Sequence, residues 1–489
     1  MEKNDELSGR ETHQKVGLYL GPAVAAFMII MGPPDSLTVP AWHVAAMGVW
    51  MAVWWATEAV PIAVTALLPI VTFPLLGISD IRATVPPYAD KVIYLFLGGF
   101  IVAYAMQRWN LHRRIALNIL RFAGGNGRSL VGGFMIAAAF LSMWVMNTST
   151  TMMMLPIAIS VIMVISRSVT SLDDKGREDF QYALLLGIAY GATTGGIATL
   201  IGTAPNALLA GFMADSYGVQ IDFASWMLVG LPITVIMLPL IWIVLTRMVF
   251  KVNFQTSNEG RAELENMREE MGSITNPEKR IAIVFSLMAL LWITRPLLTQ
   301  IPGLSALDDS GIAMAGALAL FVIPSGDKRD PILMRWREAE KLPWGVLLLF
   351  GGGLTLAKAV QGTGLAEWLG TSLQAFGALP PIVMIAAIAA LIIFLTELTS
   401  NTATTATFLP VVGAIAFESG IDPILLTIPV ALAASCAFML PVATPPNAIV
   451  FGSGLLQIPK MARAGFVLNL IGIVVVSAVA STLAPRFLH

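Results

Sequence analysis

A short polar segment occurs twice in this sequence, and each copy interrupts a strongly apolar stretch. The copies span residues 142–156 and 396–410, a shift of 254 positions, and one asparagine, three threonines, a leucine and a proline recur in register. Polar backbone at membrane depth is tolerated only where it is buried in protein or lines a cavity. Two such copies in an apolar chain therefore predict an internally duplicated transporter whose binding site lies between the copies.

The composition indicates a polytopic membrane protein. The chain is 56% hydrophobic and 12% charged, whereas soluble domains carry about 25% charged residues. A membrane-spanning helix needs about 20 mostly apolar residues, and we predict an all-α fold with about eleven such helices. The candidates are 16–33, 41–57, 60–76, 91–107, 181–213, 226–250, 279–298, 310–324, 343–360, 422–455 and 464–485. The segments with the polar copies, about 129–165 and 380–418, are predicted to be re-entrant hairpins.

The distribution of basic residues supports this topology. If the N-terminus is cytoplasmic, the predicted inside segments hold 24 of the 29 lysines and arginines, as the positive-inside rule requires. We therefore expect a multi-pass protein of the inner (plasma) membrane with a cytoplasmic tail at 1–15. No basic cluster indicates a nucleic-acid partner.

The duplication extends beyond the polar segments and predicts two halves of opposite orientation. Leu97, Gly98 and Gly99 match three glycines at 351–353 with the same shift. Five predicted crossings, an odd number, separate these matching positions, so the halves form an inverted-topology repeat. The predicted domains are a first repeat with the N-terminal helix at 16–252, a partly helical cytoplasmic linker at 253–278, and a second repeat at 279–489.

A second pair of polar interruptions follows the two hairpins. Residues 202–206 read Gly-Thr-Ala-Pro-Asn, and residues 443–447 read Ala-Thr-Pro-Pro-Asn. Proline removes a backbone donor and clashes with the preceding turn, so each segment predicts a break in a helix. A broken helix exposes carbonyls that suit a cation and helix N-termini that suit an anion.

These four polar segments offer ligands for both ions. Na⁺ is a hard cation and prefers oxygen ligands, as other hard cations do; Ser142, Asn147, Thr396 and Asn401 could supply them, together with carbonyls near the two breaks. A carboxylate substrate needs hydroxyl and amide donors, which are Asn147, Thr148, Thr203, Asn401, Thr402 and Thr444. Neither pair of segments contains Arg or Lys, so bound cations would offset the substrate's charge and thereby couple anion to cation.

Other polar residues are assigned simpler roles. Glu397, four residues before Asn401, is predicted to hydrogen-bond the hairpin backbone; a proton carrier is the alternative. Glu58 is interpreted as an interfacial or packing residue. The four histidines, His13 among them, lie far from the tips in sequence and indicate neither a metal site nor a catalytic dyad. A membrane-embedded enzyme is therefore not expected, and a channel would require a continuous polar stripe instead of four short interruptions.

The paired Ser-Asn-Thr-like tips, at 146–148 and 400–402, and the Thr-Pro-Pro-Asn-like breaks resemble those of the divalent-anion/Na⁺ symporter (DASS) family, the INDY-like dicarboxylate transporters. The resemblance covers the chain from about Glu58 to its end. It implies a homodimer of eleven-helix subunits with scaffold and transport domains. Such proteins move di- or tricarboxylates or sulfate, usually with several Na⁺ ions, by an elevator motion. Na⁺-coupled dicarboxylate symport is the function that we expect; Na⁺-independent dicarboxylate exchange and sulfate transport are the alternatives.

The resemblance also implies individual site residues. The first sodium site corresponds to Ser142, Met146, Asn147 and Gly202, and the second to Thr396, Thr399, Asn401 and Ala443. The substrate contacts correspond to Asn147, Thr148, Thr203, Asn401, Thr402, Thr444 and Pro445. Two positions depart from the family pattern, since Met146 stands in place of serine and Ala204 in place of proline. Three outcomes are open for the first sodium site: a backbone oxygen at Met146, weaker Na⁺ binding, or loss of the site, as in exchangers.

Overall fold

The computed structural model describes residues 11–123, 125–169, 172–255, 258–372 and 379–488. Helices are the only regular secondary structure in these ranges, apart from two isolated β-bridges. The predicted all-α fold is therefore confirmed. Most of the predicted cytoplasmic tail, residues 1–10, lies outside the described residues.

In the described residues, seven α-helices and one 3₁₀ helix, Pro86–Ala89, precede the first hairpin. The α-helices are α1 Thr12–Met31, α2 Val39–Thr57, α3 Ile62–Ala66, α4 Leu68–Leu75, α5 Ile81–Thr84, α6 Lys91–Arg108 and α7 Leu111–Leu120. Side chains placed directly before two of the long helices start them: the Thr38 hydroxyl accepts from Ala41 N, and the Asp90 carboxylate accepts from Val92 N. Such caps satisfy amides that have no partner inside the helix.

The rest of the first half contains the first hairpin, the first broken helix and the linker. Its helices are α8 Gly127–Ser142, α9 Asn147–Ser168, α10 Asp174–Ile197, α11 Ala204–Tyr217, α12 Phe223–Ile243 and α13 Asn258–Glu270. Helices α8 and α9 form the hairpin predicted at 129–165, and α13 supplies the helix expected in the linker. Helix α10 begins earlier than the predicted span at 181–213, because the Asp173 carboxylate caps it by accepting from Gly176 N at 2.8 Å.

The second half repeats this order of helices. It contains α14 Asn276–Leu298, α15 Asp309–Val322, α16 Trp336–Ala339, α17 Trp344–Gly362, α18 Leu365–Ser372, α19 Pro381–Thr396, α20 Asn401–Glu418, α21 Pro423–Ala434, α22 Pro445–Phe451, α23 Ile458–Thr482 and α24 Ala484–Phe487. Helices α19 and α20 correspond to α8 and α9, and α21 and α22 to α10 and α11. The opposite orientation of the halves in the membrane stays a prediction.

Seven helical segments in the described residues are long and apolar enough to cross a membrane: Thr12–Met31, Ile81–Arg108, Asn147–Arg167, Phe223–Val249, Asn276–Leu298, Trp344–Gly362 and Ile458–Phe487. One of them, Asn147–Arg167, is an arm of the first hairpin. Several predicted crossings correspond to shorter helices, such as α15, or to the broken pairs α10–α11 and α21–α22. The apolar helices agree with a membrane protein, and the number of eleven crossings stays a prediction.

Close helix packing brings the hairpins to the breaks. Helix α10 lies along α8 at glycine positions: a Cβ on Gly195 would lie 2.2 Å from Ala139 O, and one on Gly191 would lie 2.8 Å from Met135 O. Only glycine permits such an approach of two backbones. Helix α22 packs against both α9 and α10, and α20 packs against α11, α21 and α2. The two hairpin tips and the two breaks therefore meet in the middle of the protein.

Candidate functional site

Both hairpin tips are closed by the same side-chain hydrogen bond. Ser142 Oγ donates to Asn147 Oδ1 at 2.5 Å in the first hairpin, and Thr396 Oγ1 donates to Asn401 Oδ1 at 2.5 Å in the second. Helices α9 and α20 begin at these asparagines, so the free amides of the first turn and the positive end of each helix dipole lie at the tips. Each tip therefore combines amide, hydroxyl and backbone donors that suit an anion.

Each break separates two helices by a segment without α-helix, which consists of turns and bends in the first break and contains a short 3₁₀ helix, Pro441–Ala443, in the second. Helix α10 ends at Ile197 and α11 begins at Ala204, while α21 ends at Ala434 and α22 begins at Pro445. The residues directly before α11 and α22, Thr203 and Thr444, have nearly identical backbone angles, φ −147° and ψ 146° against φ −143° and ψ 150°. The two breaks therefore end in the same local backbone conformation.

The tips and the breaks line one cavity of about 820 Å³. This volume lies within the range of ligand pockets, about 300 to 1,000 Å³. All seven residues predicted to contact the substrate line it: Asn147, Thr148, Thr203, Asn401, Thr402, Thr444 and Pro445. No Arg or Lys stands among the lining residues that the structure describes. The cavity therefore offers an anion neutral donors from both halves of the chain.

Oxygen atoms converge beside the first tip at a position that glycine leaves open. A Cβ on Gly196 would lie 2.7 Å from Asn147 Oδ1 and 3.0 Å from Gly202 O. Ser142 Oγ is 2.5 Å from the same Asn147 oxygen. Asn147 and Gly202 therefore lie beside Gly196, and Ser142 is bonded to the same asparagine, while the fourth residue predicted for the first sodium site, Met146, lines the cavity. This donor set of hydroxyl, amide and backbone oxygens suits Na⁺.

The oxygens of the second tip are more fully hydrogen-bonded. Besides its bond to Asn401, the Thr396 hydroxyl lies 3.3 Å from Ala434 O. The Thr399 hydroxyl lies 3.0 Å from Leu395 O and 2.7 Å from Thr404 Oγ1. Thr399, Asn401 and Ala443 line the cavity, whereas the side chain of Thr396 is fully buried behind it. The four residues predicted for the second sodium site thus lie around one tip and one break.

The comparisons with known proteins agree with this arrangement. Residues 13–485 match the family described as the sodium:sulfate symporter transmembrane region. The chain belongs to this family. The predicted resemblance to the divalent-anion/Na⁺ symporters is thereby confirmed over nearly the whole length of the chain.

Two related transporters are similar to this chain over most of their own length. A sodium-dependent dicarboxylate transporter, SdcS, of Staphylococcus saprophyticus is 42% identical over 97% of this chain and 92% of its own. The protein of the same name from Staphylococcus aureus strain MRSA252 is 40% identical over 97% of this chain and 92% of its own. Both are transporters, so the prediction of a transporter and not an enzyme is confirmed.

A solved structure shares the fold of this protein. The YdaH transporter of Alcanivorax borkumensis superimposes with a TM-score of 0.54, covering 91% of this chain and 98% of its own, at 12% sequence identity. At this identity the likeness concerns the fold alone. Together with the apolar helices, it confirms the predicted all-helical membrane architecture.

The structure corrects the predicted partner of Glu397. This side chain is 3% exposed, and its two carboxylate oxygens accept from Phe438 N, Met439 N and Leu440 N at 2.8 to 3.1 Å. Asn469 Nδ2 donates to it as well, at 2.7 Å. The expected bond to the hairpin's own backbone was wrong; the carboxylate instead ties the second hairpin to the second break. This contact spans about forty residues of sequence, so local pattern could not reveal it.

Two titratable residues of the cavity wall, Glu58 and His13, were not assigned to the site. The interfacial or packing role of Glu58 stays a prediction, whereas His13 lines the same cavity as the tips although it is far from them in sequence. Glu58 ends α2 with φ 46° and ψ 38°, a left-handed conformation that non-glycine residues rarely adopt. Pro61, directly before the next helix, indicates this helix end in the sequence, because proline is common shortly after a helix end, but it does not indicate that Glu58 lines the cavity.

Proposed function

We propose that this protein is a secondary active transporter that carries di- or tricarboxylates of the succinate, malate or fumarate type together with Na⁺. The observation that carries this proposal is the single cavity in which both hairpin tips and both breaks meet. A dianion with a carboxylate at each end suits two facing donor sets. The two similar relatives, which are named sodium-dependent dicarboxylate transporters, support this substrate class.

Two or more Na⁺ ions would travel with the substrate. Ser142, Asn147 and Gly202 would hold the first ion with oxygen atoms, and Met146 could add only its backbone oxygen, because a thioether is a poor ligand for a hard cation. The second ion would be held at the second tip and break, by Thr396, Thr399, Asn401 and Ala443. Since the described cavity wall contains no Arg or Lys, the bound cations would supply the positive charge that the anion needs.

Two alternatives of the same fold are supported by specific observations. Met146 at the first tip favours Na⁺-independent dicarboxylate exchange. It has no hydroxyl group that could bind Na⁺, whereas Ser400, the equivalent residue of the second tip, has one. The family description, which names sulfate, favours a sulfate transporter. A cavity of about 820 Å³ with donors at two tips suits an elongated dianion better than compact sulfate.

A ligand screen on the purified protein distinguishes the substrate classes. The melting temperature would be measured with succinate, malate, fumarate, citrate, α-ketoglutarate or sulfate, each in Na⁺ and in K⁺. A ligand that binds only the native state stabilises the protein. Because the anion is proposed to bind together with Na⁺, we expect a dicarboxylate to raise the melting temperature in Na⁺ and to raise it little in K⁺. Stabilisation by sulfate alone would contradict the proposed substrate. Equal stabilisation by a dicarboxylate in both salts, with accelerated uptake into liposomes preloaded with the same anion, would favour the exchanger.

The fold also supports an elevator motion, in which one domain slides along another. The two hairpins and helices α10–α12 and α21–α23 would form a moving transport domain, and α1–α7 and α14–α18 a scaffold that mediates homodimerisation in the inner membrane, with the N-terminus cytoplasmic. Helix α12 packs against α10 and α23, which supports its place in the transport domain. An elevator motion would slide this domain along the scaffold and expose the cavity on alternate sides.

One ion-pair cluster links the two proposed domains and permits a test of the motion. Asp222, directly before α12, lies 2.7 Å from Arg295 in α14, and Phe223 N donates to Asp309 in α15 at 2.8 Å. In a variant with Cys436→Ser, we expect cysteines introduced at Asp222 and Arg295, joined by a short reducible bifunctional thiol reagent, to abolish transport. Reduction should restore it.

The matched control joins two positions within the proposed scaffold. Arg108 of α6 forms an ion pair with Glu338 of α16 at 2.8 Å, and cysteines at these positions should cross-link without loss of transport. Full transport by the cross-linked Asp222–Arg295 variant would contradict a sliding motion between these helices.

A further inference from the structure

The helix that follows each break has a fully buried asparagine in its first turn, and the two asparagines share two equivalent acceptors. In the first, Asn206 Nδ2 lies 3.1 Å from Gly196 O and 2.8 Å from Thr199 O. In the second, Asn447 Nδ2 lies 3.3 Å from Ala437 O and 3.0 Å from Leu440 O. The acceptors stand ten and seven residues before the asparagine in each half. The two halves of the chain thus share one side-chain arrangement at their breaks.

The reason for this arrangement lies in the missing helical hydrogen bonds. A break removes partners from several carbonyls, and a buried carbonyl without a partner costs free energy. The proline directly before each asparagine, Pro205 or Pro446, offers no backbone N–H. The side-chain amide replaces the missing donors with two N–H groups and so fixes the direction of the carbonyls along each break.

The first asparagine also touches the oxygen cluster described above. Its acceptor Gly196 is the residue whose missing side chain leaves space beside Asn147 Oδ1 and Gly202 O. The Gly196 carbonyl itself lies close to Gly202, at 2.4 Å from the position of a Cβ there. A rotation of the Gly196 carbonyl would therefore displace the backbone of Gly202, whose oxygen faces the candidate cation space.

Each asparagine retains a second polar atom. The Oδ1 atoms of Asn206 and Asn447 are buried and have no hydrogen-bond partner among the described residues. An unpaired buried acceptor costs about 1 to 3 kcal/mol, so a residue needed for stability alone would be expected to pair this oxygen. Each half of the chain thus has a buried acceptor oxygen beside its break that has no partner among the described residues.

We propose that Asn206 and Asn447 are positioning residues for the two cation sites, which set cation affinity by fixing the break carbonyls. This inference rests on the proposed Na⁺ coupling. Neither residue lines the cavity in the described structure. The carbonyls of Thr199 and Leu440, which the two asparagines bind, also accept from Gly202 N and Ala443 N, so both asparagines act through Gly202 and Ala443 and not through contact with the anion.

The test measures Na⁺ binding directly. The melting temperature of the purified full-length protein would be titrated with NaCl, at constant ionic strength kept with choline chloride and without anionic substrate. For Asn206→Leu and Asn447→Leu we expect the Na⁺ concentration of half-maximal stabilisation to rise about tenfold or more, the effect typical of residues that orient metal ligands. The anion KM, measured at saturating Na⁺, should change little. Asn206→Ser, which keeps one hydroxyl donor, should give a smaller shift and serves if the leucine variant does not fold.

A buried hydrogen-bonded threonine far from the breaks serves as the control. Thr246 is fully buried and donates to Trp242 O within its own helical segment, so Thr246→Val should leave Na⁺ half-saturation unchanged. An unchanged value in the folded Asn206 and Asn447 variants, or an equal shift in Thr246→Val, would overturn the positioning role. If the unmodified protein itself showed no stabilisation by Na⁺, the proposed coupling would fail, which is a distinguishable result.

Discussion

Replacement of Asn401 by alanine should abolish transport while leaving the protein folded. Asn401 lines the cavity, and its Oδ1 accepts from Thr396, so one side chain serves both the predicted anion contacts and the second cation site. Loss of a buried polar contact costs about 1 to 3 kcal/mol, and loss of two roles should lower uptake about 100-fold or more. The measurement is initial succinate uptake by proteoliposomes that contain equal amounts of each variant.

The control for this variant lies on the same helix. Thr407 donates to Ala403 O at 2.9 Å within α20, so Thr407→Val removes a polar bond without touching the tip and should transport normally. Folding is expected to persist in Asn401→Ala because the Thr396 hydroxyl can still donate to Ala434 O. Near-normal uptake by Asn401→Ala would contradict the assignment of Asn401 to the anion contacts and to the second cation site.

Replacement of Glu397 by alanine should destabilise the protein as well as stop transport. The carboxylate accepts from three backbone amides and the Asn469 side chain, and the residue is 3% exposed. Its removal leaves four buried donors unpaired, which should lower the free energy of unfolding by about 3 kcal/mol or more. The melting temperature in detergent and the yield of monodisperse protein measure this loss.

Two further variants separate this structural role from proton carriage. Asn469→Leu removes one of the four donors and should cause a smaller fall in melting temperature. Glu397→Gln keeps a single acceptor oxygen, so both stability and transport should be intermediate. A glutamine variant with wild-type stability and no transport would contradict the structural role and support the proton carrier.

Much of the fold followed from local sequence chemistry. Polar tips in apolar segments placed both hairpins, and prolines at 205 and 445 placed both breaks, because a single residue's backbone chemistry decides these features. The matching hydrogen bonds of Asn147 and Asn401 were not predicted, although the two tips carry equivalent residues and the bonded partners are only five residues apart.

The remaining features depend on contacts between distant parts of the chain. Glu397 reaches Phe438–Leu440, and Glu58 and His13 reach the cavity from helices α2 and α1, which carry no polar segment of their own. The space beside Asn147 depends on the absence of a side chain at Gly196, one of 42 glycines in the sequence. No periodicity or spacing distinguishes such positions before the helices are packed.

The central claim is that bound Na⁺ is needed for dicarboxylate transport, and the dependence of uptake on the cation tests it most directly. Proteoliposomes would receive radiolabelled succinate with an inward Na⁺ gradient, with equal Na⁺ on both sides, or with choline in place of Na⁺. Coupling through bound cations predicts accumulation above the external concentration only with the Na⁺ gradient, and almost no uptake in choline. Uptake that is unchanged when choline replaces Na⁺ would contradict the account.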